Sequence, residues 1–304
     1  MLEDESGRLQ LTGRFLPQYS LCTGAIVAVL GTENRDGAFE VIEVKLADLP
    51  PQPARWALSE GSSDEGKLNG NGVHNRPTRK IAIVSGLEID GVSGDTLILD
   101  LLAEYLIGEA GDDQEVSRIS RLILAGNSFA DSSPIPTRQD SENIKRKSVR
   151  KFGIDPMAYN AAPSLQLDQF LSVILPSIPV TLMPGATDPA SVSVPQQPLH
   201  AAYFPQGRQY IKAPTDNSPT PSWFDSVSNP WEGEVDGWRV LATGGQPVND
   251  MFKYIDGDDR LGMMECFLRW RNVAPTAPDT LCKDSFLYFD FLSSKLLRDV
   301  PIPR

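Results

Sequence analysis

The sequence predicts an α/β protein, α+β overall, built in two parts. Three observations carry that expectation. Residues 22–49 hold two β-rich runs around a turn. From Lys80 onward, short apolar runs each stop at a Gly-containing loop. Between those runs lie stretches whose apolar residues recur at helical spacing. Apolar strands alternating with helices describe a layered α/β domain, in which the loops at the strand carboxyl ends are placed to build a site. The expected organisation is a β-rich domain at 1–58, a flexible linker or loop at 59–79, and the layered domain at 80–304.

In the first part, Ala25 to Leu30 is apolar throughout and Phe39 to Val44 is amphipathic, which reads as a strand pair. Gly31 to Gly37 between them supplies turn chemistry, with Asp36-Gly37 the usual positive-φ pair. Residues 59–79 are Gly, Ser, Asn and charge with nothing to bury, and His74 inside them reads as a solvated histidine.

In the second part, Ile81 to Val84 is a buried strand ending at Ser85-Gly86. A helix is expected over 96–107, where Leu97, Leu101, Leu102, Tyr105 and Leu106 repeat with Asp100 and Glu104 on another face. Leu122 to Ala125 is a second strand, ending at Gly126-Asn127. Leu167 to Leu175 marks a helix closed by Pro176 and Pro179, and Val180 to Met183 is a third strand, ending at Pro184-Gly185. Trp238 to Ala242 is a fourth strand candidate, and Leu261 to Trp270 one more amphipathic helix. Residues 130–151 and 206–226 read as surface insertions, the latter as a long exposed loop. The cluster Lys145, Arg146, Lys147, Arg150 and Lys151 reads first as a solvated helix face, with a localisation signal or nucleic-acid contact as the alternative.

Charge and composition narrow the function. The 28 Lys+Arg against 40 Asp+Glu give a formal net charge of −12, the wrong sign for a chain that wraps nucleic acid by itself. No apolar run approaches the ~20 residues that span a bilayer, and the charged start MLEDESGR does not read as a signal peptide. Cys22, Cys266 and Cys282 are too few and scattered for a disulfide framework or zinc cage, and His74 and His200 too few for a His-rich metal centre. The balance reads as a soluble intracellular protein without a cofactor.

The order of strands, helices and strand-end loops resembles the calcineurin-like metallophosphoesterases, which hold paired metal ions about 3.5–4 Å apart on such loops. That family carries D-x-H, G-D-x-x-D and G-N-H-D in its first three loops. Here Gly86 stands where the first aspartate belongs and Glu88 where the histidine belongs. Asn127 replaces the bridging aspartate and Ala130 the second one. The third loop, Gly185-Ala186-Thr187-Asp188, keeps only its aspartate. Gly and Ala have no donor atoms, so Glu88, Asn127 and Asp188 do not amount to a dinuclear ligand set. The expectation is a scaffold whose chemistry is gone, with no catalytic residue and no metal.

A β-rich segment before such a domain resembles the B-subunits of replicative DNA polymerases, and in detail the small (second) subunits of polymerase delta. The matching stretches are TGAIVAVLGTENRDGAFEVIEVKLADLPPQ at 23–52, IAIVSGLEIDG at 81–91, SRLILAGN at 120–127 and VTLMPGATDP at 180–189. They continue with VPQQPLHAAYFP at 194–205, SNPWEGEVDGWRVLATGGQPVNDMFKY at 228–254 and LRWRNVAPTAPDTL at 268–281. The resemblance implies a partial OB-fold followed by an inactive phosphoesterase-like sandwich. It also implies a nuclear, non-catalytic accessory subunit that bridges the polymerase catalytic subunit and a third subunit, and that meets DNA only through the assembled complex. The iron–sulfur cluster associated with the complex would belong to the catalytic subunit, because this chain lacks the four-cysteine set. Family members begin before this Met1, an OB-fold needs about five strands, and residues after Leu281 do not follow the family pattern, so truncation at both ends is expected. The alternatives are a small subunit of another B-family polymerase, an atypical metal-dependent phosphoesterase, and a single-strand DNA-binding module. The last has only Phe39 for stacking and Lys45 for charge in its strand pair. Trp231, Trp238, Pro275, Pro278 and Leu281 are the candidate partner-binding residues. His200 reads first as a hydrogen-bonded structural residue, and Trp270 as a core or interface aromatic.

Overall fold

The computed structural model describes residues 1–4, 7–19, 21–49, 79–91, 96–111, 113–131, 161–212, 222–236 and 238–281. It is a mixed α/β protein. Its described residues form two compact units, one within Met1–Ala57 and Gly245–Arg304, the other within Leu58–Gly244. His74, most of the expected linker, the basic cluster at 145–151, Cys282 and the tail beyond it lie outside the described residues.

In the first unit, β1 (Leu2–Asp4) and β2 (Gly7–Leu9) make an antiparallel ribbon. Then β3 (Leu11–Thr12), β4 (Val27–Glu33) and β5 (Phe39–Leu46) form a sheet in the order β3-β5-β4. The turn between β4 and β5 is built as its residues dictate. Asn34 Oδ1 accepts from the Asp36 and Ala38 N–H groups, both at 3.0 Å, and Gly37 takes φ +77°. Helices α4 (Gln246–Met251) and α5 (Arg260–Trp270) belong to this same unit. Their buried Met251, Met263 and Trp270 pack with Leu21, Cys22, Ala25, Leu46 and Phe267. Arg271 Nε donates to the Asp48 carbonyl (2.9 Å), and Asn272 Nδ2 to that of Gly24 (3.2 Å). A Cβ on Gly24 would collide with the Pro275 carbonyl, so the backbone at 275 rests directly on the N-terminal segment. The cut expected from the sequence instead placed residues 245–281 with the layered domain. An amphipathic stripe says that a helix is covered, not by which sheet.

The second unit centres on β6 (Lys80–Val84), β7 (Ile119–Ala125), β8 (Val180–Met183) and β9 (Phe224–Ser226), all parallel and adjacent in that order. Helices α1 (Leu97–Ile107) and α3 (Ala162–Ile174), with the short α2 (Asp113–Val116), lie between the strands in the chain. One core joins Leu122, Leu124, Val180, Leu182 and Phe224 of the sheet to Leu99, Ala103 and Leu106 of α1 and Leu167, Phe170, Leu171 and Ile174 of α3. Gly108 closes α1 at φ +89°, the left-handed cap that glycine adopts without a Cβ penalty. Side chains at odd positions of β7 point the other way. There Arg121, 6% exposed, donates to Thr181 Oγ1 (2.8 Å) and the Ser222 carbonyl (2.9 Å), with the Asp225 carboxylate at 3.7 Å.

Two strand expectations change. The fourth parallel strand is β9, inside the stretch read as an exposed loop. Its one fully buried side chain, Phe224, meets Phe204 edge-on at 5.4 Å. Three residues with a single inward aromatic are too few for a period to show. Trp238–Ala242 is indeed a strand, β11, but it pairs antiparallel with β10 (Trp231–Val235) in a two-stranded ribbon outside the parallel sheet. Asp236 at φ +51° turns the chain between them.

Candidate functional site

The loops at the carboxyl ends of β6, β7 and β8 meet, as the parallel order requires. Gly86 and Gly126 leave their strands at φ +72° and +84°, and Glu88 and Asn127 follow at +50° and +55°. These paired reversals let the first two loops run side by side. The Gly86, Glu88 and Ile89 N–H groups donate to the carbonyls of Gly126, Asn127 and Ser128 (3.2, 3.2 and 3.0 Å), and Ala130 N–H returns to Ile89 (3.0 Å).

The second loop is bound to the third by side chains that the sequence comparison with phosphoesterases aligns with ligand positions. Asn127 Oδ1 accepts from the Ala186 and Thr187 N–H groups (2.8 and 3.3 Å). Thr187 Oγ1 donates to the Phe129 carbonyl (2.6 Å). Asp188, buried, accepts from Phe129 N–H at Oδ1 (2.9 Å) and from Gly185 N–H at Oδ2 (2.6 Å). Burial pushes the Asp188 carboxyl above the ordinary carboxylate range, and the surrounding backbone N–H groups oppose that rise without cancelling it. Ser128 Oγ is buried beside them with no hydrogen-bond partner.

A third layer extends the network. Gln196 Nε2 donates to the carbonyls of Gly185 (3.0 Å) and Ser191 (2.8 Å). Asn229 Nδ2 donates to Gln196 Oε1 (2.8 Å), and Gly244 N–H to Asn229 Oδ1 (3.0 Å). Both amides are 1% exposed. Sequence reasoning missed them, since hydropathy does not reveal a buried amide; their places inside the distinctive PQQPLH and SNPWEG strings were the only signal.

The loops also touch backbone to backbone. A Cβ on Gly126 would lie 2.8 Å from the Gly185 Cα and 3.3 Å from the Gly244 Cα, and one on Gly185 would collide with Asn127. Two metal ions some 3.5–4 Å apart need open space and several carboxylate and imidazole donors. Here Gly86, Ala130 and Ala186 offer no donor atom, Glu88 is exposed, and Asn127, Thr187 and Asp188 are committed to neighbouring backbone. Among the described residues, no three His, Cys, Asp or Glu side chains gather as a metal would require. The donor set does not fit a dinuclear centre.

The remaining candidates are dispersed. His200 is exposed, and its Nδ1 accepts from Ala202 N–H (3.1 Å) to cap a 3-10 turn, Ala201–Tyr203. Trp231 and Trp238 sit on the β10–β11 ribbon; the Trp231 ring lies over Gly233, and Trp238 is 47% exposed. Pro275 is buried in the first unit, and Pro278 and Leu281 fall in the π-helical turn Ala277–Leu281 after it. Thr280 Oγ1 anchors that turn to buried Asp250. Trp270 is a core residue of the first unit.

Known proteins are similar to this chain in sequence. Residues 81–301 match the family of DNA polymerase alpha/epsilon B-subunits, and residues 1–44 match the DNA polymerase delta subunit OB-fold domain. The first match runs past Leu281, through the tail where the family pattern was expected to lapse. The chain is 34% identical to the DNA polymerase delta small subunit of Oryza sativa subsp. japonica over 296 residues, 94% of this chain and 60% of that protein. It is 34% identical to that of Saccharomyces cerevisiae over 310 residues (92% and 55%), and 30% identical to DNA polymerase delta subunit 2 of Drosophila melanogaster over 303 (99% and 61%). The chain thus spans 55–61% of the length of these relatives. It belongs to the B-subunit family of DNA polymerases, as a relative of the delta small subunits.

Proposed function

We propose that this chain is a non-catalytic scaffold subunit of the DNA polymerase delta complex, acting in the nucleus in replication and repair synthesis. It bridges the catalytic subunit and a third subunit, and meets DNA only through the assembled complex. The observation that carries this reading is the commitment of Asn127, Thr187 and Asp188 to the backbone of neighbouring loops, in a chain related to delta small subunits. A polar side chain that already satisfies buried N–H groups is not free to hold a metal or activate water.

In this reading, residues 1–58 are a partial OB-fold domain and 80–304 a calcineurin-like phosphoesterase scaffold that has lost its ligands, with its described residues 245–281 packed in the first compact unit. The OB-fold match at 1–44 and the parallel β6–β9 sheet with its clustered strand-end loops support it. A small subunit of polymerase alpha or epsilon is the second reading, favoured by the alpha/epsilon family matched at 81–301. The experiment is a pull-down of the full chain with the C-terminal region of each polymerase catalytic subunit. Retention by the delta region at micromolar concentration is expected. Retention by the alpha or epsilon region alone would overturn the assignment to delta, and retention by none would overturn the scaffold role.

A further inference from the structure

Helix α1 buries Leu99, Ala103 and Leu106 and turns Leu97, Ile98, Leu101 and Tyr105 outward, at 65%, 71%, 52% and 47% exposure. Positions 97, 101 and 105 are successive turns of one stripe, widened by Ile98. A surface helix ordinarily carries polar residues there. Scattered apolar residues need no explanation, but a contiguous patch on the order of a few hundred Å² marks an interaction site.

Among the described residues of α1 and its C-terminal cap, the charges have one sign. Asp100 and Glu104 are exposed beside the stripe, and Glu109 just past the Gly108 cap. Among the described residues, the ion pairs of this unit run elsewhere, through Glu115, Asp225 and Asp236. The last turn of α1 has no basic residue, so Glu104 and Glu109 stand where the helix carbonyls already concentrate negative charge. That arrangement is unfavourable for the helix alone and is relieved by an incoming cation. Helix α5 also exposes apolar side chains, Leu261, Met264 and Leu268, but its neighbouring charges pair within the unit, Arg269 with Glu265 and Asp48.

The geometry points to α1 as a docking face for a basic amphipathic helix of a protein partner. Its apolar side chains lie on Leu97, Ile98, Leu101 and Tyr105, and its Lys or Arg side chains meet Asp100, Glu104 and Glu109. The charge asymmetry selects this occupant. A second copy of a chain with net charge −12 brings the same sign to the face, and nucleic acid would be repelled. The partner's chemistry follows from this face alone and does not depend on the polymerase assignment.

The test uses the full chain and a fluorescein-labelled synthetic helix of about five turns with a leucine stripe flanked by lysines. Its control has the same stripe flanked by glutamates. Fluorescence anisotropy should give saturable binding of the basic peptide, at least roughly tenfold tighter than the acidic one. Leu101→Ser should weaken it by about tenfold, and Asp100→Lys with Glu104→Lys should reverse the preference between peptides. Circular dichroism checks that the variants fold. In the unsubstituted chain, the basic peptide should also protect the amides of 97–107 from hydrogen exchange. Equal binding of both peptides, indifference to the charge reversal, or no added protection of α1 would overturn the proposal. So would a dimer of the free chain, seen by light scattering, that Leu101→Ser dissolves.

Discussion

The strand-end loops of the second unit and the outer face of α1 depart from ordinary expectation in opposite directions. At the loops, polar groups of the type that could face a substrate are turned inward: Asn127, Thr187, Asp188, Gln196 and Asn229 bind the backbone of the next loop. On α1, apolar groups that could fill a core are turned outward. The contrast teaches where a scaffold's capacity resides. Loops locked by most of their own polar side chains have little left to offer a ligand, whereas an uncovered apolar stripe has free energy of burial still to release.

The contrast can be broken first at the loops, where the largest effects are expected. Gly185→Val places a side chain against the Asn127 backbone and should cost roughly 3 kcal/mol, read as a fall in the urea midpoint. A near-neutral result would mean that the loops are looser than the direct backbone contact implies. Asp188→Ala removes the acceptor for the Phe129 and Gly185 N–H groups and should cost about 2 kcal/mol, the penalty for stranding buried donors. Stability unchanged by this substitution would release Asp188 from its structural role and reopen the site.

Two buried aspartates sharpen the contrast through pH. Burial raises the Asp188 carboxyl, so the native state holds that proton more tightly than the unfolded chain does. Its favourable contribution is present below the ordinary carboxylate pKa and is lost as pH rises through the raised value. Asp250 in the first unit is opposite: burial raises it too, but hydrogen bonds led by Lys253 outweigh burial and hold it below the ordinary value. Its contribution is present above the ordinary pKa and lost as pH falls through the depressed one. Melts of Asp188→Asn and Asp250→Asn against the unsubstituted protein, between about pH 3 and 7, should give differences of opposite slope. Parallel slopes would refute the assignment. The smallest stability effect belongs to α1: Leu101→Ser should stay within about 0.5 kcal/mol, since the side chain is half-exposed.

Much of this was legible in the sequence, for identifiable reasons. The strands at 81–84, 122–125 and 180–183 are continuous apolar runs, and such runs in alternation with helices have few other solutions. The first is not the buried strand its run implies: it lies at the sheet edge and leaves Ile83 69% exposed. That Gly86, Ala130 and Ala186 can supply no metal ligand was legible, because a side chain without donor atoms needs no geometry to exclude it. What the polar loop residues do was not, because Asn127 and Asp188 as ligands and as backbone acceptors are the same letters. Strand β9 was hidden by its length. The place of α5 beside the N-terminal strands was hidden because packing partners far apart in sequence leave no periodic trace. The outer face of α1 was partly visible: Leu97, Leu101 and Tyr105 carried the helical period, but the same residues were equally readable as core.

The most direct test of the central claim, that the polar groups of the strand-end loops are spent on holding those loops together, is manganese-dependent hydrolysis of bis-p-nitrophenyl phosphate by the purified chain. No turnover above the buffer rate is expected for the unsubstituted protein, at any manganese concentration that leaves it folded. Turnover that tracks the protein through purification and disappears in Asp188→Ala, with the variant's fold verified by circular dichroism, would contradict that claim.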